Sequence, residues 1–312
     1  MAPPRQGVLA PVLATHRHLL ALVLAVLSLV APPTAYAAQG AVRVVDDHGA
    51  SVTLPQPARR IVSLAPHATE LLFAAGAGAR VVGVIKGSDA PPAARSLPVI
   101  GDVTALDLER IVALAPDLIV TWPYTTPAQV ALLRERGIAV FVTDARTPAG
   151  IARDLTALGT LAGTQAVASA AAQRLRSRAD ALRVPAGTTR IRVFYQVAGA
   201  PVFTIGGGHL IDAAIRACGG ANVFADSSIP APQVGIEGVI ARHPQAIVAA
   251  TAGARRPAWL DDWRAWPQVP AVRLGNLFVV DADLLHRPGP RFVDGMAQLC
   301  GALAQARARL PG

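Results

Sequence analysis

A chain of 312 residues is long enough for two ordinary domains, or one large one, with a sizeable core either way. Hydrophobic types make up 52% of it and charged types 16%, which excludes disorder as the main state. The formal charge of +9 rests almost wholly on arginine, Lys86 being the one lysine. No run of four basic residues and no finger or basic-helix motif accompanies the arginines, so a solvated surface is expected and a nucleic-acid partner is not. Seven Phe, four Trp and three Tyr are few for this length, so an aromatic residue in a functional position stands out.

Residues 1–37 read as an address. Arg5 and Arg17 form a positive n-region, and Leu19–Ala31 is an apolar run too short to span a bilayer. Ala35-Tyr36-Ala37 then offers small residues for signal-peptide cleavage after Ala37, which places the mature protein in the periplasm. A membrane anchor is the alternative. Export makes the two cysteines informative: Cys218 and Cys300 are either paired or two buried free thiols, and with no CxxC they do not suggest zinc or redox chemistry.

The mature chain alternates strand and helix. Strands are expected at Arg60–Leu64, Val81–Ile85, Leu118–Trp122 and Ile138–Val142. Helices are expected at Thr69–Ala75, Leu106–Leu114 and Ala128–Arg136. The longest helical pattern follows Thr147-Pro148, is interrupted at Gly163, and runs on over Gln165–Arg183, rich in strong helix formers. Alternation resumes at Ile191. Buried apolar strands between helices imply parallel sheets covered on both faces.

The pattern also repeats. LERIVALAPDLIVTW (108–122) aligns with IEGVIARHPQAIVAA (236–250) at an offset of 128, setting Glu109 on Glu237 and Pro116 on Pro244. Each copy is a helix with one acid in its first turn, a proline stop, and a buried strand. The expected architecture is α/β: two Rossmann-like lobes with mainly parallel sheets, joined by a single long interdomain helix. The boundaries read 38–160 for the N-terminal lobe, 161–185 for the helix and 186–312 for the C-terminal lobe. A cleft between such lobes favours a small molecule.

Catalytic signals are missing. No GxGxxG, GxxxxGK[ST] or GxSxG occurs, and no two mature histidines stand three or four residues apart. Gly206-Gly207-Gly208 reads either as an anion cradle or as a tight strand-to-helix turn, and Asp46-Asp47 as a surface turn. Trp259, Trp263 and Trp266 fall on one helix face and are expected to pack. Neither a resident cofactor nor a metal site is expected.

RIVSLAPHATELLFAAGAGARVVGV (60–84), the two repeat segments, ACGGANVF (217–224) and HRPGPRFVDGMAQLC (286–300) resemble the substrate-binding proteins of bacterial ABC importers for cobalamin, haem and iron–siderophore complexes. Within that class the cobalamin-binding members are most similar. The resemblance runs over nearly all of residues 41–309. It implies two α/β lobes bridged by one rigid helix, a Cys218–Cys300 disulfide, a monomer, and cobalamin as transported ligand. It also implies docking onto arginines of a membrane permease, part of an ABC importer with its ATPase, through Glu109 and Glu237. Cobalamin brings its own metal held in a corrin ring, so the pocket needs aromatic walls and polar partners. The candidates on loops after strands are Trp122, Tyr124, Tyr195, Phe203 and the Asp283/Arg287 pair, with Trp122, Asp283 and Arg287 at family pocket positions. Core packing is the alternative for Tyr195 and Phe203. The sequence departs from the cobalamin binders where Lys86–Asp89 and Gly101–Thr104 carry no aromatic residue and Ala231 stands where a tryptophan can occur. Haem is the rival cargo, with Tyr124, His67 or His286 as axial ligand; a ferric siderophore would rest on Arg287 and Arg291. From another class, an exported α/β enzyme would use His67 or Asp283 as base.

Overall fold

The computed structural model describes residues 1–2 and 40–311. The expected signal segment and its cleavage point after Ala37 lie outside the described residues. A hairpin of β1 (Val42–Val45) and β2 (Ser51–Leu54) precedes the first lobe. That lobe holds β3 (Ile61–Ser63), α1 (Pro66–Ala74), β4 (Val81–Val84), α2 (Leu108–Ala113), β5 (Leu118–Thr121), α3 (Pro127–Glu135) and β6 (Ala139–Val142). Then come α4 (Pro148–Ala162) and α5 (Gln165–Ala181). The second lobe runs β7 (Ile191–Gln196), α6 (Leu210–Ala217), β8 (Gly220–Asn222), α7 (Ile236–Ala241), β9 (Ala246–Thr251), α8 (Ala258–Asp261), α9 (Pro270–Arg273), β10 (Leu277–Asp281), α10 (Ala282–Leu285) and α11 (Phe292–Ala308).

Each lobe is built on a four-stranded parallel sheet, in the orders β4-β3-β5-β6 and β8-β7-β9-β10. The two orders are the same topology. The central strands β3 and β5 are buried at every position, as expected for parallel strands covered on both faces, whereas β2 alternates exposed and buried. The repeat seen at offset 128 reappears in the backbone. Ala115 and His243 both take positive φ, 43° and 45°, immediately before the repeated prolines. Asp117 and Gln245, also repeat partners, both brace the start of the first strand of their sheet. Asp117 accepts from the Arg60 N–H at 3.1 Å and Gln245 from the Arg192 N–H at 3.0 Å.

The interruption expected at Gly163 separates two helices, and the second, α5, spans Gln165–Ala181 without a break. Thr147 caps α4 by accepting from the Gly150 N–H, Pro148 occupies its first turn, and Gly163 ends it at φ 65°, a left-handed residue that closes the helix. The chain then reverses into α5, whose buried Ala168, Ala171, Ala172, Leu175 and Ala179 follow helical spacing. At Gly159 a side chain would collide with Ala168, so this glycine lets α4 and α5 approach closely. The start of α5 is tied to the first lobe, with Thr164 donating to the Ala75 carbonyl at 2.6 Å. Its far end meets the second lobe through the Arg178–Asp294 ion pair. Helix α5 thus runs from one lobe to the other.

The largest apolar cluster is continuous through both lobes and the α4/α5 pair; two smaller ones cover the outer faces of the sheets. Trp259, Trp263 and Trp266 all pack into the second lobe's outer cluster, although α8 is only four residues long. Cys218, at the end of α6, is bonded to Cys300 in α11. Among the described residues no helix is long and apolar enough to cross a membrane.

Candidate ligand-binding cleft

The carboxyl ends of strands from both sheets face a cleft of about 260 Å³ that is open to solvent. Parallel sheets favour binding at this end. From the first lobe come His67 in the first turn of α1, Trp122 and Tyr124 just past β5, and Asp144 and Arg146 just past β6. The second lobe contributes His209, which opens α6, Leu285 at the end of α10, and His286 and Pro288 just after it.

The aromatic wall is an edge-on series. His67 and Trp122 lie 5.3 Å apart between centroids at 62°, and Trp122 and Tyr124 lie 4.8 Å apart at 63°. Tyr124 is exposed and Trp122 half-buried. His67 is buried and hydrogen-bonded: its Nε2 stands 2.9 Å from Thr143 Oγ1, whose own hydrogen goes to the Thr121 carbonyl. The ring nitrogen therefore donates, and Nδ1 keeps its lone pair. Burial, aided by Arg287, lowers the His67 pKa from 6.5 to about 3, so the imidazole is neutral at physiological pH. His286 is lowered to about 4, by burial and then by His209. His209 is also lowered, by burial and then Arg146; its Nδ1 accepts from the Ile211 N–H, so the neutral ring carries its proton on Nε2.

Of the seven residues expected to touch the ligand, the structure gathers His67, Trp122 and Tyr124 on the cleft wall. The other four stand elsewhere. Tyr195 is fully buried in β7 and does not line the cleft; its hydroxyl stands 3.1 Å from Nε2 of the lining residue His286, and burial raises its pKa. It supports a lining residue from behind. Phe203 is half-buried in a bridge pairing with Ala198 and Gln233 and does not line the cleft. Asp283 and Arg287 belong to an ionic bridge between the lobes. Arg287 donates to Asp89 at 2.6 Å, to Asp283 at 3.3 Å and to Glu70 at 3.4 Å. Arg291 holds Glu70 with two bonds of 2.9 and 2.7 Å. The Arg287 guanidinium keeps the Asp89 carboxyl below the usual carboxylate range. The segment Lys86–Asp89 thus brings an acid for Arg287.

Sequence reasoning passed over Asp144, Arg146 and His209. The available signal was position: the first two follow a strand's carboxyl end, and His209 stands where an α/β crossover begins its helix. The glycines before it form a tight turn. Gly206 and Gly207 donate to the Pro230 and Ser227 carbonyls, and Gly208 to Asp212, so none of the three N–H groups is left for an anion. Asp46 lies in a turn but is buried, its carboxylate accepting from the His48 and Ala50 N–H groups. Glu109 and Glu237 are exposed in the first turns of α2 and α7, and neither is paired with a cation among the described residues. Among the described residues no three metal-ligating side chains converge.

The family model for periplasmic binding proteins matches residues 61–284, which takes in both sheets and the helices between them. The chain belongs to this family. As a periplasmic binding protein it is a carrier and not an enzyme. It is 38% identical over 256 residues to the vitamin B12-binding protein of Vibrio cholerae (strain O395), covering 81% of this chain and 92% of that one. The crystal structure of the periplasmic vitamin B12-binding protein BtuF of Vibrio cholerae superposes with a TM-score of 0.73 at 38% identity, covering 80% of this chain and 98% of the other. The periplasmic heme-binding protein RhuT from Roseiflexus sp. RS-1 superposes with a TM-score of 0.68 at 26% identity, covering 80% and 99%.

Proposed function

We propose that this periplasmic binding protein captures cobalamin in the interlobe cleft and delivers it to an ABC importer. The observation that carries this reading is the 38% identity sustained over 92% of a relative named vitamin B12-binding protein. The cleft agrees with it chemically. Trp122 and Tyr124 offer flat apolar faces to a corrin ring, while neutral imidazoles and the Asp144/Arg146 pair offer partners for its amide rim. Tyr195 and Phe203 shape the second-lobe wall from behind, and Asp283 and Arg287 meet the ligand once Arg287 exchanges an ionic partner for an amide oxygen.

The remaining parts follow from the same reading. The chain is exported, is cleaved after Ala37 and works in the periplasm as a monomer. Exposed, unpaired Glu109 and Glu237 dock onto arginines of the permease, one from each lobe. Haem is the second reading, favoured by one observation. Of the three axial candidates on the cleft, the two histidines each have a ring nitrogen engaged by Thr143 or Tyr195, whereas Tyr124 is exposed.

Titration of the mature protein with cobalamin, hemin and a ferric siderophore, followed by absorbance, tests the cargo. Saturable binding of cobalamin in preference to the other two is expected. A shifted Soret band that is lost on Tyr124→Phe would establish haem instead. Docking is tested separately: Glu109→Arg/Glu237→Arg is expected to abolish uptake in a reconstituted importer with cobalamin affinity unchanged, and continued uptake would refute it.

A further inference from the structure

A second cavity, of about 430 Å³, lies behind the loop that lines the cleft. Asp144, Ala145 and Arg146 face the cleft, and the next three residues, Thr147, Pro148 and Ala149, line this cavity. Its other walls bring together Arg176 and Arg183 from the α5 region, Arg190 just before β7, and Arg216 from α6. Both lobes therefore contribute. Four arginines line the space, of which Arg183, Arg190 and Arg216 are exposed, with two carboxylates near them: Asp180, which pairs with Arg183 at 3.2 Å, and buried Asp212, which holds Arg216. Arg176 and Arg190 have no acidic partner among the described residues, and Arg176 is half-buried. The cavity also takes in the first turn of the fifteen-residue α4, where the Ala149 N–H has no intrahelical acceptor.

Like charges do not gather about a concave site without cost. Four arginines from three chain segments line one space, and the two nearby carboxylates leave a surplus of positive charge there. Planar, multiply donating arginines match the oxygens of phosphate better than a point charge would. The helix start adds an oriented N–H of the same sign.

We infer that this arginine-lined cavity is a binding site for a polyvalent phosphate-bearing ligand, separate from the cleft. Arg176 and Arg190 are its free donors, while Arg183 and Arg216 are held in place by Asp180 and Asp212. The chemistry is shared by soluble polyphosphates and by the headgroups of anionic phospholipids, and the experiment separates them.

The test uses the mature protein with sodium tripolyphosphate in a calorimeter at low ionic strength. In parallel, it is sedimented with vesicles of phosphatidylglycerol in phosphatidylcholine or of phosphatidylcholine alone. Saturable one-to-one binding of tripolyphosphate, or retention by the phosphatidylglycerol vesicles, is expected. Arg176→Ser/Arg190→Ser is expected to weaken it by about tenfold or more. Arg134→Ser/Arg273→Ser, which removes equal charge from exposed positions elsewhere, is expected to leave it within about twofold. Circular dichroism confirms that both doubles fold. Tripolyphosphate binding marks a soluble ligand; vesicle retention alone marks a lipid headgroup. Absence of both, or equal weakening by the two double variants, overturns the site.

Discussion

His67 and Asp154 carry opposite pH dependences, and the direction of each follows from its surroundings. The His67 pKa is about 3 in the folded protein and 6.5 in the unfolded chain, so between those values the unfolded chain binds more protons and stability falls as pH falls. His286, lowered to about 4, acts in the same direction. Asp154, buried in α4, is raised from 3.8 to about 9 by burial and then by Asp47. Its contribution is greatest below pH 4 and is lost as pH rises toward 9. Two outcomes are expected in urea denaturation. His67→Gln, which retains a donor for Thr143, makes the loss of stability below pH 6.5 shallower by up to ~1.4 kcal/mol per pH unit. Asp154→Asn raises stability at pH 8 by about 1–3 kcal/mol and leaves pH 4 nearly unchanged. His67 was legible as a cleft residue because it follows the first strand. Asp154 was not, since a lone acid inside a helical pattern looks like a solvated face until the hairpin packs over it.

Among the elements, α1 and the segment from α10 into α11 hold the lobes together on the cleft side, through Glu70 and Asp89 on one lobe and Arg287 and Arg291 on the other. The Glu70 side chain is only 4% exposed, so its charge depends on those partners. Arg291→Ala is expected to cost about 1–3 kcal/mol, less than for a fully buried pair because the arginine is 38% exposed. Adding Glu70→Gln to that variant is expected to recover part of the loss; additive losses in the double-mutant cycle would show that the bridge is not coupled. The sequence pattern located the strands and helices of the first lobe to within a few residues, because apolar periodicity and proline stops are local signals. It also located the break at Gly163. The ionic bridge joins residues more than 190 positions apart, and nothing local announces that Asp89 will face Arg287. The same separation explains why Asp283 and Arg287 were legible as a pair but not as part of a bridge.

On the scale of the whole molecule, two copies of one α/β plan share a strand order and left-handed residues at the same offset, and α5 connects them. That plan was legible because the repeat lies in the sequence itself. The cleft was legible in outline, since parallel sheets bind at their carboxyl ends, and its first-lobe aromatic residues were found for that reason. Its second-lobe wall was not: Tyr195 alternates into the core, and His209 gains its place only when the sheets face each other. The Cys218–Cys300 bond closes a separation of 82 residues within the second lobe and leaves the relation between the lobes to α5 and the ionic bridge. Trp122 on the cleft wall is the proposed seat of the cobalamin ring. The direct test is the cobalamin dissociation constant by calorimetry for the mature protein and for Trp122→Ala. One-to-one binding that weakens by about tenfold or more in the variant is expected. Absence of cobalamin binding, or binding of equal strength in both proteins, would show that the ring does not rest on Trp122.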